Sequence, residues 1–459
     1  MEGIKKNRFF GSWDFYKSAI MIGVPVMVQA LLQSLVSLID SFMVAGLGDI
    51  KMAGVNIAGQ ILYIFMVLQT AICTSGGIYM TQYFGAKDKK GMQQSFAFKV
   101  VISFSMIFIY FMVTFVWNRN ILSLMVIGNS AAEMILNQGQ EYMFLMGFIG
   151  VQMVISYIIA SSYREIGKVK VPLIITVFAA LLNTFFNWVL IYGNLGMPRL
   201  EIRGAAYATI IARTVEMLLY VVYVIIDKPD FVDLSVFKRI DWKLFFEILK
   251  KGSLLIISQM IWVASDSICA AIYNGRGGAD VVSGMAASFS IANLFFISIG
   301  GINTATSVLI GKSLGGGKLE QAKKEKTWML SAALVFGIVM TFIGFITTAL
   351  VPVVFGKLTP EAQGICKGMV IVISLLMPIW IYINTQLSIT KSGGDTKVCM
   401  MVDGIISLLV VPILLMLAKF TTLSPVSMYL IVKMTDFAKV AIARHEIKGE
   451  KWVVNLSER

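Results

Sequence analysis

Apolar residues run through this chain in long unbroken stretches, not in the alternating segments of about ten residues that a membrane β-barrel requires. Twelve stretches are long enough to cross a ~30 Å hydrocarbon core as helices, at approximately 18–47, 52–81, 95–117, 139–163, 171–192, 203–226, 248–275, 281–311, 327–351, 366–390, 398–418 and 425–447. The pattern predicts an all-α integral membrane protein. The first stretch, Ala19 to Leu47, has Asp40 as its only charge. Pro25 removes a backbone donor there and crowds the preceding turn, which predicts a kink and a hinge. Gln29, Gln33, Ser37 and Asp40 recur at steps of four, four and three, so they line one face of the helix. A carboxyl inside a spanning helix is costly in lipid. It faces a cavity or the bundle interior, where it serves ion movement or fixes helix packing.

The two halves of the chain look like copies. A shift of 230 residues aligns Val26–Asp88 with Ile256–Lys318 without a gap, pairing Gln29 with Gln259, Gly54 with Gly284 and Gly85 with Gly315. Later, Arg164-x-x-Gly167-x-x-Lys170 matches Lys391-x-x-Gly394-x-x-Lys397, and the in-span pair Arg213/Glu216 matches Asp436/Lys439 with charges reversed. The longest stretch between spans separates the copies. The expected organisation is an N-terminal lobe of six spans (1–227), a cytoplasmic amphipathic linker (228–247) whose part Phe237–Phe246 lies on the membrane surface, and a C-terminal lobe of six spans (248–459). Six spans return each copy to the side it started from, so the copies are related by an axis along the membrane normal. Two pseudo-symmetric six-helix lobes around a central cavity follow, an arrangement that suits alternating access.

Composition agrees: 57% of residues are hydrophobic, 14% are charged and mean hydropathy is +0.80. The net charge of +13 does not indicate nucleic acid, because the basic residues alternate between loops. One set of loops with both termini holds 28 Lys and Arg and the opposite set holds 8, which orients both termini to the cytoplasm. The basic N-terminal stretch precedes a run too long for a signal peptide, so it is retained with the first span. Cys73, Cys269, Cys366 and Cys399 are scattered and form no CxxC pair. The only histidine, His445, lies near the C-terminus, which leaves no His-based dyad or zinc site. Gly311-Lys312-Ser313 resembles the end of a phosphate loop, but Thr306 stands where its first glycine belongs. No enzyme activity, metal or bound cofactor is expected.

The candidate chemistry is therefore intramembrane and polar. Asn183 and Asn187 sit one turn apart in the fifth span, and an amide there serves Asp40 whether the acid is ionised or protonated. Asn56, Gln60 and Tyr63 form a similar stripe in the second span, and each such stripe serves either a cavity or helix packing. The C-terminal half has Asp266, open to ion coupling or to structural pairing, with Gln259, Trp262, Asn293 and Asn303 nearby in sequence or in neighbouring spans. Trp380, also mid-span, stacks on a cationic ligand or packs. Arg213/Glu216 and Asp436/Lys439 read as internal salt bridges, and Asp403 as an interfacial residue.

Taken in order, these landmarks resemble the multidrug and toxic compound extrusion family. They are the Pro25–Asp40 helix, Thr81-Gln82-Tyr83-Phe84-Gly85-Ala86, Arg164 to Pro172 leading into Asn183, Ile202 to Thr209, and Gly393-Gly394-Asp395-Thr396-Lys397. The resemblance implies cation-coupled efflux of amphipathic, often cationic small molecules. It implies a multi-pass protein of the cell membrane, here expected to be a monomer, with Asp40 as the proton-handling acid and Asn183 and Asn187 beside it. Position 187 is Asn where some proton-coupled relatives carry a second acid, and Trp380 to Asn384 in the tenth span lacks the acid of sodium-coupled ones. Protons are thus the expected coupling ion, with no other cofactor. Asp266 keeps sodium open, and a lipid-linked precursor flippase of the same superfamily is the other alternative.

Overall fold

The computed structural model describes residues 9–127 and 131–458. Part of the basic N-terminal stretch lies outside the described residues. Among the described residues, eleven helices are long and apolar enough to span a membrane: α1 (Trp13–Ala45), α2 (Asp49–Ala86), α3 (Lys89–Val116), α4 (Ala132–Glu165), α5 (Lys170–Tyr192), α6 (Glu201–Asp227), α7 (Trp242–Gly275), α8 (Ala279–Gly315), α9 (Leu319–Val354), α10 (Pro360–Ser392) and α11 (Lys397–Phe420). The expected twelfth span is α12 (Pro425–Lys433) followed by α13 (Thr435–Lys448). Only Met434 separates them, and its amide still reaches the Leu430 and Ile431 carbonyls at 3.1 Å, so the helical path continues.

Side-chain chemistry sets several helix ends. Thr359 and Ser424 each accept a hydrogen bond from the backbone N–H three residues on, ahead of Pro360 and Pro425 at the first helical position. At the other ends the repeat is visible in the backbone. After α2, Lys87 N–H donates to Phe84 and Asp88 N–H to Tyr83; after α8, Gly317 donates to Leu314 and Lys318 to Ser313, the same pair of bonds 230 residues later. Gly167 and Gly394 close α4 and α10 in a second matched pair, both with φ near 80° (80° and 78°), where glycine carries no Cβ penalty.

The linker differs from its expected form. α7 begins at Trp242, capped by Asp241, whose Oδ1 accepts from the Lys243 and Leu244 amides at 3.0 and 3.1 Å. The last residues of the linker are therefore the first turns of the seventh span. Phe231, buried, packs on Phe96 and Tyr163, and Phe245 packs on Phe98, which fastens the linker to α3 and α4.

By contacts, the chain forms two compact units. One comprises Met1–Met27, Thr81–Asp88 and Leu249–Arg459; the other comprises Val28–Met80 and Lys89–Ile248. The division near residue 248 matches the repeat boundary, but two pieces of the first repeat pack within the unit of the second. Glycines make that possible: a Cβ on Gly23 would crowd the Gly301 carbonyl, and one on Gly85 would overlap that of Lys312. α1 thus contributes to both units, changing over two residues past Pro25.

Candidate functional site

In the unit built from Val28–Met80 and Lys89–Ile248, α1 presents Asp40 to α5. Asn183 and Asn187 lie one turn apart on α5, so their amides stack on the same face. Asn187 Nδ2 donates to Asp40 Oδ1 at 2.6 Å. The Asn183 amide ends 2.9 Å from Asp40 Oδ2 and 3.2 Å from Oδ1. Both asparagines are buried and Asp40 is half-buried. Asp40 forms no ion pair among the described residues.

A neutral cradle of this kind can hold either protonation state. With its nitrogen toward Asp40, Asn183 donates to an ionised carboxylate. Turned by half a rotation, its oxygen accepts from a protonated carboxyl and takes a 3.3 Å hydrogen bond from Asn187, while its nitrogen donates to Thr209 on α6 at 3.4 Å. The two orientations of one amide thus offer a partner to either protonation state of the carboxyl.

The remaining sequence candidates of this unit separate. Gln29 is buried, donating to Thr176 Oγ1 at 2.9 Å; Thr176 contacts Glu216, which pairs with Arg213 at 2.7 Å. Gln29 is therefore tied to packing between α1, α5 and α6. Gln33, Asn56, Gln60 and Tyr63 are instead exposed on α1 and α2.

Among the described residues, no hydrogen bond joins Asp266 to Gln259, Trp262, Asn293 or Asn303. Asp266 is exposed on α7 and makes no ion pair among the described residues, and Asn293 is likewise exposed on α8. Gln259 is half-buried and Trp262 is 39% exposed. Asn303 donates to Asn384 Oδ1 at 3.4 Å, and Asn384 donates to the Trp380 carbonyl at 3.0 Å. A buried acid of this unit, Asp436, accepts from the Trp380 indole at 2.7 Å and pairs with Lys439 at 3.2 Å. The Trp380 face is taken by Lys433, 5.7 Å from the ring centre, so the chain supplies its own cation there.

Two groups were not legible in the sequence as site neighbours. Thr209 lies on α6, and only its spacing of four from Arg213 hinted that it faces α5. Lys99 lies within the span expected at 95–117 but was not singled out there; α3 places it in the interior, paired with Glu165 and bonded to Ser161 and Ser162 at 3.3 and 3.2 Å. Gly76 and Gly77 leave the room: a Cβ on either would meet Lys99 or Glu165.

The MatE family model matches the chain twice, over residues 25–189 and 255–416. The chain belongs to the MatE family. The two MatE matches begin 230 residues apart, the offset of the internal repeat. Among curated relatives, a probable multidrug resistance protein NorM of Thermotoga maritima is 26% identical over 337 residues, covering 72% of this chain and 70% of its own length. A probable NorM of Halalkalibacterium halodurans is 24% identical over 339 residues, 72% of each chain. Among solved structures, a mutant of a Vibrio cholerae MATE transporter superposes with a TM-score of 0.84 at 15% identity, covering 96% of this chain and 98% of that one. An outward-facing multidrug resistance MATE family transporter gives 0.81 at 18%, covering 98% and 99%. The fold of this MatE protein is thus that of an all-α, multi-pass membrane transporter.

Proposed function

We propose that this MatE protein is a secondary active antiporter that exports amphipathic, often cationic compounds in exchange for protons by alternating access. The observation that carries the reading is Asp40, held inside a spanning helix by two neutral amides and by no basic partner among the described residues. A fixed ammonium beside it would lock the carboxyl ionised; amides leave it free to change state. The relatives named as multidrug resistance proteins support efflux of small molecules, and the exposed Gln33, Asn56, Gln60 and Tyr63 supply polar groups for such a solute.

Protonation of Asp40 from outside removes its charge, turns the Asn183 amide and shifts α1 about Pro25, close to where the helix changes from one unit to the other. Substrate release follows. On this reading the protein lies in the cell membrane, and the bias of Lys and Arg between loops supports cytoplasmic termini. Exchange of one proton for one monovalent cation moves no net charge, so each pH unit contributes about 1.4 kcal/mol and voltage contributes nothing.

Proteoliposomes with pH and sodium gradients imposed separately test this reading. A pH gradient alone drives drug counterflow by the parent protein, and Asp40→Asn abolishes it. Undiminished transport by Asp40→Asn overturns the mechanism, and drive by sodium alone transfers coupling to an exposed acid such as Asp266.

A further inference from the structure

We infer that the C-terminal segment Gly449–Glu458 is a latch on a seal between α2 and α8, and that Gln82 is the positioning residue through which it acts on the transport cycle. The inference rests on the alternating-access reading above.

The seal is a backbone contact with local two-fold character. A Cβ at Gly85 would overlap the Lys312 carbonyl, and a Cβ at Gly315 would overlap the Gln82 carbonyl. Gln82 and Lys312 are equivalent by the repeat offset of 230, as are Gly85 and Gly315, so each helix end offers the same pair of positions to the other. Thr81 and Gly311, a third equivalent pair, also meet. Backbones this close leave no room for solute between the two helix ends. α2 belongs to the first repeat and α8 to the second, so a path opening toward the basic-loop side has to part them.

The tail is bound across that contact. Gln82 is fully buried: its Nε2 donates to the Ser392 carbonyl at 2.6 Å and to the Val454 carbonyl at 3.2 Å, and its Oε1 accepts from the Leu456 amide at 2.7 Å. One side chain of the first repeat thus joins the end of α10 to the tail, using both amide donors. Ser457 Oγ donates to the Gly315 carbonyl at 3.2 Å, on the seal itself. Trp452 anchors the segment; it is fully buried with Ile310, Leu314 and Ile389 and donates its indole N–H to the Ile447 carbonyl at 3.1 Å. Gly393 accommodates the Trp452 carbonyl where a Cβ would collide.

The device is one-sided for a chemical reason. The counterpart of Gln82 is Lys312, whose ammonium donates but cannot accept from a backbone amide. Only the first-repeat side of the seal can hold a tail by both its carbonyls and its amides. Because Trp452 fastens the tail to α8 and α10, separation of α2 from α8 breaks the Gln82 bonds to Val454 and Leu456.

The test uses the full-length protein in vesicles, with the four native cysteines replaced and a reporter Ser313→Cys at the end of α8. An impermeant maleimide is applied from the side that carries the tail. Gln82→Ala, and truncation after Gly449, should each raise the labelling rate about tenfold as the open population grows; rates equal to the parent overturn the latch. In a second arm, Gln82→Cys and Ser457→Cys are bridged by a short thiol-reactive linker. Bridging should stop turnover, leave drug binding within about twofold and be reversed by reductant. Full transport in the bridged state overturns the inference. Should the double variant fail to fold, the labelling rates of the truncated protein decide. Failure of the latch leaves pH-driven efflux by the parent intact, whereas failure of the transport reading removes it.

Discussion

Asp40 and Asp436 are both carboxylates inside helices, one in each repeat, and their surroundings are opposite in kind. Asp40 meets two amides that serve it charged or neutral. Asp436 is buried against an indole N–H and the ammonium of Lys439, both of which only donate, with Lys433 over the same tryptophan. Groups that only donate match a carboxylate alone, whereas an amide can both donate and accept. Asp436 thus resembles Glu216 of the first repeat, which is buried and paired with Arg213 at 2.7 Å, whereas Asp40 has amides alone as hydrogen-bond partners among the described residues. Asp266, exposed and without an ion pair among the described residues, belongs to neither class.

The widest separation should appear in transport. In the same proteoliposome counterflow, Asp266→Asn is expected to stay within about twofold of the parent, while Asp40→Asn loses pH-driven efflux altogether. A loss of equal size for Asp266→Asn would break the contrast and spread coupling over both repeats. Stability should reverse the ranking. Lys439→Met leaves Asp436 buried beside a single donor, and removal of one partner of a buried pair costs about 3 kcal/mol. Thermal unfolding of the detergent-purified protein reads that loss; an unchanged midpoint would mean that Asp436 is held by the Trp380 indole alone.

Most of the fold could be read from the chain because lipid imposes a severe filter: spans have to be long, apolar and helical, and twelve runs satisfied it. The 230-residue repeat was visible for a related reason. Gly85 and Gly315 sit where two backbones touch, and Gly54 and Gly284 also face backbone, so the glycines survive in register while the side chains around them differ. Asp40, Asn183 and Asn187 were legible because polar residues at helical spacing are rare in apolar runs. The order of landmarks resembling a known family then strengthened that choice. What was not legible depended on which helices are neighbours. Gln29 shares a face with Asp40 by spacing, yet its amide turns to Thr176. Lys99 carries a charge that suits a loop, and only the packing of α2 against α3 and α4, opened by Gly76 and Gly77, shows why it is buried. The tail carries no periodicity at all. Its role depends on Gln82, some 370 residues earlier in the chain.

The finest distinction lies within the cradle itself. The two amides beside Asp40 are not equivalent: Asn187 donates to Oδ1 at 2.6 Å, whereas Asn183 meets both carboxyl oxygens and alone has Thr209 to turn toward. On the proposed mechanism Asn183 is expected to follow the proton and Asn187 to stay a donor. Asn187→Ala removes one hydrogen bond to a charged group, on the order of 1.4 kcal/mol, so pH-driven counterflow should fall about tenfold and not vanish. Asn183→Ala removes the partner of both states and should cost more than Asn187→Ala. Measured side by side at one pH gradient, equal losses would mean that the two amides share the work and that rotation of Asn183 does not follow the proton.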